Sequence, residues 1–428
     1  MYTIPLLSTN SRLHDRLKTI LTGCANNLYD LNLLTTTRAA ESFLTTEMPE
    51  LIFINFSDGK INAFQLIETM LKDPWLLHGG IIALCKEYRT VERINEIRGA
   101  NIIVSLTFND LEKQLPSILD IIHNNRRILF QRGIGQDIVG AISGSFKLGN
   151  NLFEAHCYIN LICNYLYNSN KLTADRKYFF HLALYEMLIN AIEHGNCGIS
   201  WDDKSRFLEH GGSMPDLISE RCKDPLILNK RVTFDYTMHP GHARFVIADE
   251  GNGFDWRTML ATIHKKDDLR LHGRGIILTR ETVRTISYNE PGNEVTLEID
   301  YETEGSGITP ALFSHIDPLE VKKGDVVINQ GDHANALYFI VKGRYDIVVN
   351  DRVISTLSAD DLFMGEMSFL LNDRRSATVR ASSDGKLIKI SKLEFVKAIK
   401  KKPHYALFLA RLLAERIQRL NQSAAEKK

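Results

Sequence analysis

The stretch FFHLALYEMLINAIEHGN, residues 179–196, constrains this chain more than any other. It holds no Pro, reaches Gly195 before its first Gly, and spaces its apolar residues at helical intervals, so it reads as a helix. Glu186, Asn190 and His194 recur every four residues and climb one side of that helix, drifting ~40° per step. Their polar atoms would line a strip facing a ligand. Some 55 residues on, ARFVIADEGNGFDW runs an apolar strand into Asp249 and then turns through Gly251 and Gly253. HGRGIILTRETV comes next, with Gly273 and Gly275 opening another helical run, and PGNEVTLEID reads as a turn and a closing strand. Singly each piece is weak, because glycine pairs are common and a strand ending in DEGNG would serve as a hairpin.

In this order and spacing the pieces resemble the Bergerat ATP-binding fold of gyrase, MutL and histidine kinases, over about residues 145 to 302. The nearest branch is the bacterial anti-sigma-factor serine kinases. Magnesium takes hard oxygen ligands and keeps waters while bridging phosphates, so one amide oxygen, Asn190, suffices as the protein ligand. Glu186, one turn earlier, would act as general base toward a hydroxyl or water. The resemblance implies that Asp249 accepts the adenine amino hydrogen, that Gly251 and Gly253 let backbone approach base and sugar, and that Gly273, Arg274 and Gly275 form a lid whose amides meet the phosphates. His194 is equally well a branch feature or a helix-end cap. Glu193 reads as a solvated charge. One departure is the long insertion between Gly195 and Arg231, where Asp216, Glu220, Arg221 and Lys223 look like an amphipathic surface element; it would cover the nucleotide or dock a partner.

Residues 1–125 alternate short apolar runs with amphipathic stretches. Strand candidates are Tyr2–Leu7, Leu28–Leu33, Leu51–Phe56, Gly80–Leu84 and Asn101–Ser105, with helical patterns such as Ala63–Leu71 between them. Five β/α units argue a doubly wound parallel sheet. That rhythm and the phrase PELIFINFSDGKINAFQLI resemble a response-regulator receiver domain. The receiver's chemistry is missing, however. Ser8, Thr9 and Asn10 stand where metal-binding acids belong, Asn55 where the phospho-accepting Asp belongs, and Cys85 and Leu106 where the Thr and Lys belong. An amide cannot form the acyl phosphate. The helical pattern of 109–135 carries His123, which reads as an exposed linker histidine.

From about residue 308 the texture turns to short strands with Gly324, Gly331 and Gly343 at turns, then a helix from about His404 to Asn421 whose apolar face (Phe408, Leu409, Leu412, Leu413, Ile417) would close over a base. GEMSFLLNDRRSATV, residues 365–379, resembles the phosphate-binding cassette of the cyclic-nucleotide-binding jelly roll. A cyclic phosphodiester is one charge on a rigid ring, suited to the planar fork of Arg375. By the same resemblance Glu366 accepts the ribose 2′-hydroxyl, Gly365 permits backbone approach, Ser376 donates to phosphate or base, and Arg374 is a solvated neighbour. Ser376 leans only slightly to cyclic AMP over cyclic GMP.

The expected fold class is therefore multidomain α/β, α+β and β. It comprises a doubly wound receiver-like sheet (1–125), a linker (126–144), a Bergerat α/β sandwich (145–303), and a C-terminal β jelly roll with a capping helix (308–422). Net charge is zero, yet Leu371–Lys428 holds 15 Lys and Arg against 5 Asp and Glu. A basic tail can mark nucleic acid, but no helix-turn-helix pattern comes after the third domain, so direct DNA binding is not expected. No apolar run approaches the ~18 residues that span a bilayer. The N-terminus lacks a secretory pattern, so the expectation is a cytoplasmic protein whose six cysteines are reduced. The function expected is ATP- and Mg2+-dependent phosphorylation of a Ser or Thr on a partner such as an anti-sigma antagonist, under control of a cyclic nucleotide. A sigma factor is another possible partner, and a homodimer is possible. The alternative left open is a non-catalytic switch answering to both nucleotides.

Overall fold

The computed structural model describes residues 2–23, 29–73, 76, 79–125, 142–169, 171–239, 241–258, 279, 280, 282–302, 313, 315–410, 413 and 414. Five strands, β1 (Tyr2–Leu7), β2 (Tyr29–Leu34), β3 (Leu51–Asn55), β4 (Gly80–Cys85) and β5 (Ile102–Thr107), pair in parallel in the order 2-1-3-4-5. Helices α1 (Ser11–Gly23), α2 (Thr37–Thr46), α3 (Ala63–Leu71), α4 (Tyr88–Asn95) and α5 (Leu111–Asn124) connect and cover them. β3 and β4 are buried throughout, as a sheet sandwiched between helix layers requires. α1 buries Leu13, Leu17 and Leu21 at four-residue spacing.

At the C-terminal ends of β1 and β3, Asn55 is buried and donates to Ser8 Oγ at 2.9 Å. Asp58 accepts from the Ser8 hydroxyl at 3.1 Å and the Thr9 amide at 2.6 Å. The polar groups of this pocket bond one another. His123 departs from expectation. It lies in the last turn of α5, not in an exposed linker, and its Nδ1 is buried with no hydrogen-bond partner.

The second sheet is antiparallel, in the order β6 (Ile142–Leu148), β7 (Val232–Met238), β8 (His242–Ala248), β10 (Glu294–Asp300), β9 (Thr285–Tyr288). β6 begins at Ile142, inside the stretch expected to be linker. Alternate residues of β7 and β10 point into one apolar core. Over that face lie α6 (Leu152–Asn168) and α7 (Ala174–Asn190), α7 contributing Phe180, Leu184, Met187 and Leu188. The insertion folds as α8 (Trp201–Glu209), α9 (Met214–Arg221) and α10 (Pro225–Leu228).

α6 belongs to two cores. Ile159 and Ile162 join the second core while Cys157 and Leu161 join that of the first domain. It runs along β5, the edge of the parallel sheet, where Asn160 and Asn164 donate to the carbonyls of Ile103 and Ile102 at 2.9 and 3.2 Å. An edge strand presents unpaired carbonyls, and two amides one turn apart satisfy them.

The third unit comprises two four-stranded antiparallel sheets. One has the order β11 (Leu319–Val321), β18 (Gly385–Ser391), β13 (Ala336–Lys342), β16 (Phe363–Met364); the other β12 (Val326–Ile328), β17 (Thr378–Ala381), β14 (Tyr345–Val349), β15 (Arg352–Leu357). α11 (Glu366–Leu371) precedes β17 and α12 (Lys392–Lys401) follows β18. Residues 404–410 are helical. Leu412 and Ile417 lie outside the described residues. Phe408 and Leu409 are buried in a cluster with Phe313, Tyr405, Phe369 of α11 and Met48 of the first domain.

Candidate nucleotide sites

Thr173 caps α7 by accepting from the Arg176 amide, and the helix buries its apolar face on the sheet. Glu186 and Asn190 stay on the opposite, partly exposed side. Among the described residues neither side chain has a hydrogen-bond partner. Burial pushes the Glu186 carboxyl above its ordinary range, the Lys204 ammonium partly offsetting this and the Glu193 charge adding to it. A carboxyl raised in this way is, when ionised, a stronger proton acceptor than an ordinary glutamate.

After Asn190 the helix widens into a π-helical turn, Ala191–Asn196. A π turn rotates the residues beyond it off the four-residue strip. His194 thus leaves the line of Glu186 and Asn190, its Nδ1 2.6 Å from the Ile199 carbonyl and its ring 5.1 Å from Trp201. Glu193 is not solvated: it is 2% exposed and ion-paired to Lys204 of α8 at 2.7 Å. The insertion therefore delivers a cation beside Glu193 of the π turn and near Glu186 of α7, and sequence spacing held no signal for it. Asp216, Glu220, Arg221 and Lys223 fall in or just after α9, where Arg221 donates to Asp203 at 2.9 Å.

Asp249 comes directly after β8 and faces Gly195. A Cβ at Gly195 would collide with the Asp249 carboxylate, and one at Gly251 would strike the Gly195 carbonyl. Gly253 has φ +75°, and a Cβ there would meet the Pro291 carbonyl. These glycines thus have an immediate role in loop packing besides the ligand approach inferred for them. The Gly251 amide donates to Asp249 Oδ1 at 2.8 Å. Burial nevertheless pushes the Asp249 carboxyl up to about 6, the Gly251 amide and Lys230 partly offsetting it. A half-buried carboxylate with acceptor capacity beyond the Gly251 bond fits an amino group as a further partner. Asn196 and Asn293, both unremarked in the sequence, hold the neighbouring loops: Asn196 Oδ1 accepts from the Glu250 amide at 2.9 Å, and the Asp249 amide donates to the Asn293 carbonyl at 2.9 Å. Gly273, Arg274 and Gly275 lie outside the described residues.

In the third unit Gly365 caps α11 at φ +77°, and a Cβ there would strike the Arg375 guanidinium. Arg375 is 6% exposed and donates to the Gly365 carbonyl at 2.6 Å, to Ser368 Oγ at 3.3 Å and to the Ala336 carbonyl. Burial pulls its pKa down, while the Tyr338, Glu366 and Asp332 groups act the other way. No carboxylate among the described residues lies within ion-pair distance of it. A buried cation whose protein partners are neutral fits an anionic ligand. Glu366 is buried in the same turn, Ser376 is exposed beside it, and Arg374 is exposed and donates to the Gly331 carbonyl at 2.9 Å.

Residues 160–299 match the family described as "Histidine kinase-like ATPase domain", and residues 318–402 match "Cyclic nucleotide-binding domain". Among curated proteins the chain is 33% identical over 90 residues to a cGMP-dependent protein kinase of Plasmodium berghei (strain Anka), covering 21% of this chain and 10% of the relative. It is 34% identical over 117 residues to Pycsar effector protein BcPycTIR of Burkholderia cepacia, covering 27% and 38%. It is 41% identical over 68 residues to the cAMP-dependent protein kinase type II regulatory subunit of Drosophila melanogaster, covering 16% and 18%. The chain thus spans less than half the length of each of these relatives. The crystal structure of the Thermus thermophilus catabolite activator protein is 25% identical, covering 29% of this chain and 62% of that one, with a TM-score of 0.25. The chain carries a histidine kinase-like ATPase domain and a C-terminal cyclic nucleotide-binding domain, and none of its described helices is long and apolar enough to cross a membrane.

Proposed function

We propose that this chain is an ATP-dependent serine/threonine kinase of the anti-sigma type, transferring a phosphoryl group to a hydroxyl on a separate protein under the control of a cyclic nucleotide. The observation that carries the reading is Glu186: a half-buried carboxyl, pushed up by burial, one helical turn before Asn190. Asp249 would hold the adenine amine and Asn190 the metal. Bound Mg2+ would supply charge neutralisation on the phosphates. Glu186 would take the proton of the attacking hydroxyl, with Lys204 and Glu193 setting its charge environment. In the third domain Arg375 would bind the cyclic phosphate and Glu366 the ribose hydroxyl, and we lean to cyclic AMP over cyclic GMP. The N-terminal domain is proposed as a receiver-like scaffold without receiver chemistry.

The test is incubation with labelled ATP and candidate partner proteins, with and without cyclic nucleotide. Glu186→Gln keeps the size and hydrogen bonding of the side chain but cannot accept a proton, so it should bind ATP like the wild type and lose transfer. Equal transfer by the variant would remove Glu186 as the base. ATP binding by the wild type with no transfer to any partner would favour the non-catalytic switch.

A further inference from the structure

Asp73 lies just after α3 in the N-terminal domain and is 1% exposed, yet its partners come from the other end of the chain. Its carboxylate accepts from the Lys402 ammonium at 2.5 Å and from the Tyr405 hydroxyl at 3.4 Å, and Nε2 of His404 is 3.1 Å away. His404 and Tyr405 are buried too. Burial pushes the Asp73 carboxyl up, but the bonds from His404 and Lys402 outweigh it and hold it below the ordinary range. Beside this cluster Met48 holds a left-handed φ of 47° and joins the buried apolar cluster of the third domain. A non-glycine residue keeps such a conformation only where its surroundings over-determine it. The contact is a built joint.

Its position matters. Lys402 and Pro403 connect α12 to the helical segment 404–410, which His404 and Tyr405 open. Phe395 of α12 meets Phe369 of α11 edge to face, ring centroids 5.3 Å apart, and α11 starts beside Gly365 and Arg375. The same N-terminal domain also grips α6 through β5, and α6 packs along α7, which carries Glu186 and Asn190. We propose that the N-terminal domain is the transmission element between the two nucleotide sites: the state of the phosphate cassette sets the Asp73 joint, and the joint sets the β5–α6 contact behind the ATPase site. This rests on the third domain's binding a cyclic nucleotide. It assigns a use to a domain whose own polar pocket is closed on itself.

The experiment uses the full chain, with cyclic AMP and cyclic GMP as probes. Calorimetry measures their binding and the ATP affinity with and without them, while hydrogen exchange tracks residues 47–51 and 70–73. In the wild type the bound probe should alter exchange in both segments and shift ATP affinity by about 5- to 150-fold, the usual span of coupling between sites. Asp73→Asn and Lys402→Met should bind the probe as the wild type does, while the shift in ATP affinity falls below about twofold. Tyr405→Phe, which removes one hydroxyl and keeps the ring, covers the case in which those variants do not fold, and should weaken the coupling. Probe binding without altered exchange at the joint overturns the proposal, as does wild-type coupling in the folded variants. Failure of both probes to bind removes the cyclic-nucleotide reading itself, and the transmission with it.

Discussion

At Asp249 the chemistry turns on a single proton. With the free carboxyl up at about 6 and the proposed adenine contact requiring an ionised acceptor, ATP binding at this site would pull the proton off. Affinity should therefore hold above pH 6 and fall below it, approaching tenfold per unit. For folding the sign is opposite: a carboxyl raised from 3.8 favours the folded state at low pH, and that contribution is lost as pH rises through about 6. Calorimetric ATP titrations from pH 7.5 to 5 check this, and Asp249→Asn should bind weakly with a flat profile. At Arg375 truncation to Ala removes a buried cation beside Gly365, costing on the order of 2–4 kcal/mol, or about 30- to 1000-fold in cyclic nucleotide affinity. Arg374→Ala should change little, since that side chain is exposed and bonds only a carbonyl. Equal losses in the two variants, read by calorimetry, would reverse the register of the cassette.

Among the helices, the α6–α7 pair carries an acid-sensitive contact. His156 and His181 stack with ring centroids 6.0 Å apart, and Tyr185 covers His156 at 4.3 Å. Burial pulls His156 down to about 4; burial, with the His156 and Lys177 charges, pulls His181 down to about 3. The unfolded chain takes these protons near 6.5, well before the folded one does. Stability should thus be lost as pH falls below about 6.5, at roughly 1.4 kcal/mol per unit for each histidine. Melting temperatures from pH 7.5 to 5 read this out, and the double variant His156→Gln/His181→Gln should show a flatter slope. The helices also show where sequence periodicity stops. Apolar spacing predicts Ala63–Leu71 as helical, and the structure has α3 over the same residues. The π turn after Asn190 breaks the strip that four-residue spacing extends to His194, because a local widening changes the period without changing the composition.

For the whole molecule, the shared helix α6 decides what can be separated. Cys157 and Leu161 are fully buried in the core of the N-terminal domain, and Lys177 of α7 donates to the Ala100 carbonyl at 3.0 Å. Residues 142–428 expressed without the N-terminal domain should therefore expose an apolar face on α6 and aggregate or bind a hydrophobic dye, while the full chain stays monodisperse. A well-behaved truncated protein in light scattering and calorimetry would mean that the two cores fold independently.

The sequence alone determined the five strands of the N-terminal domain and its helix Ala63–Leu71, the helix that bears Glu186 and Asn190, the turn after Asp249, and the stretch of Gly365, Glu366 and Arg375 that resembles a phosphate cassette. Each of these is written in local periodicity or in a few adjacent residues. The tertiary structure decided what joins residues far apart in the chain. Glu193 becomes a buried ion pair because the insertion returns Lys204 to it, Gly195 must lack a side chain because Asp249 arrives there from β8, and Asp73 finds its partners more than 300 residues away. Burial and pairing are properties of the packed chain, and a pattern along one helix or strand carries no record of what the fold brings against it.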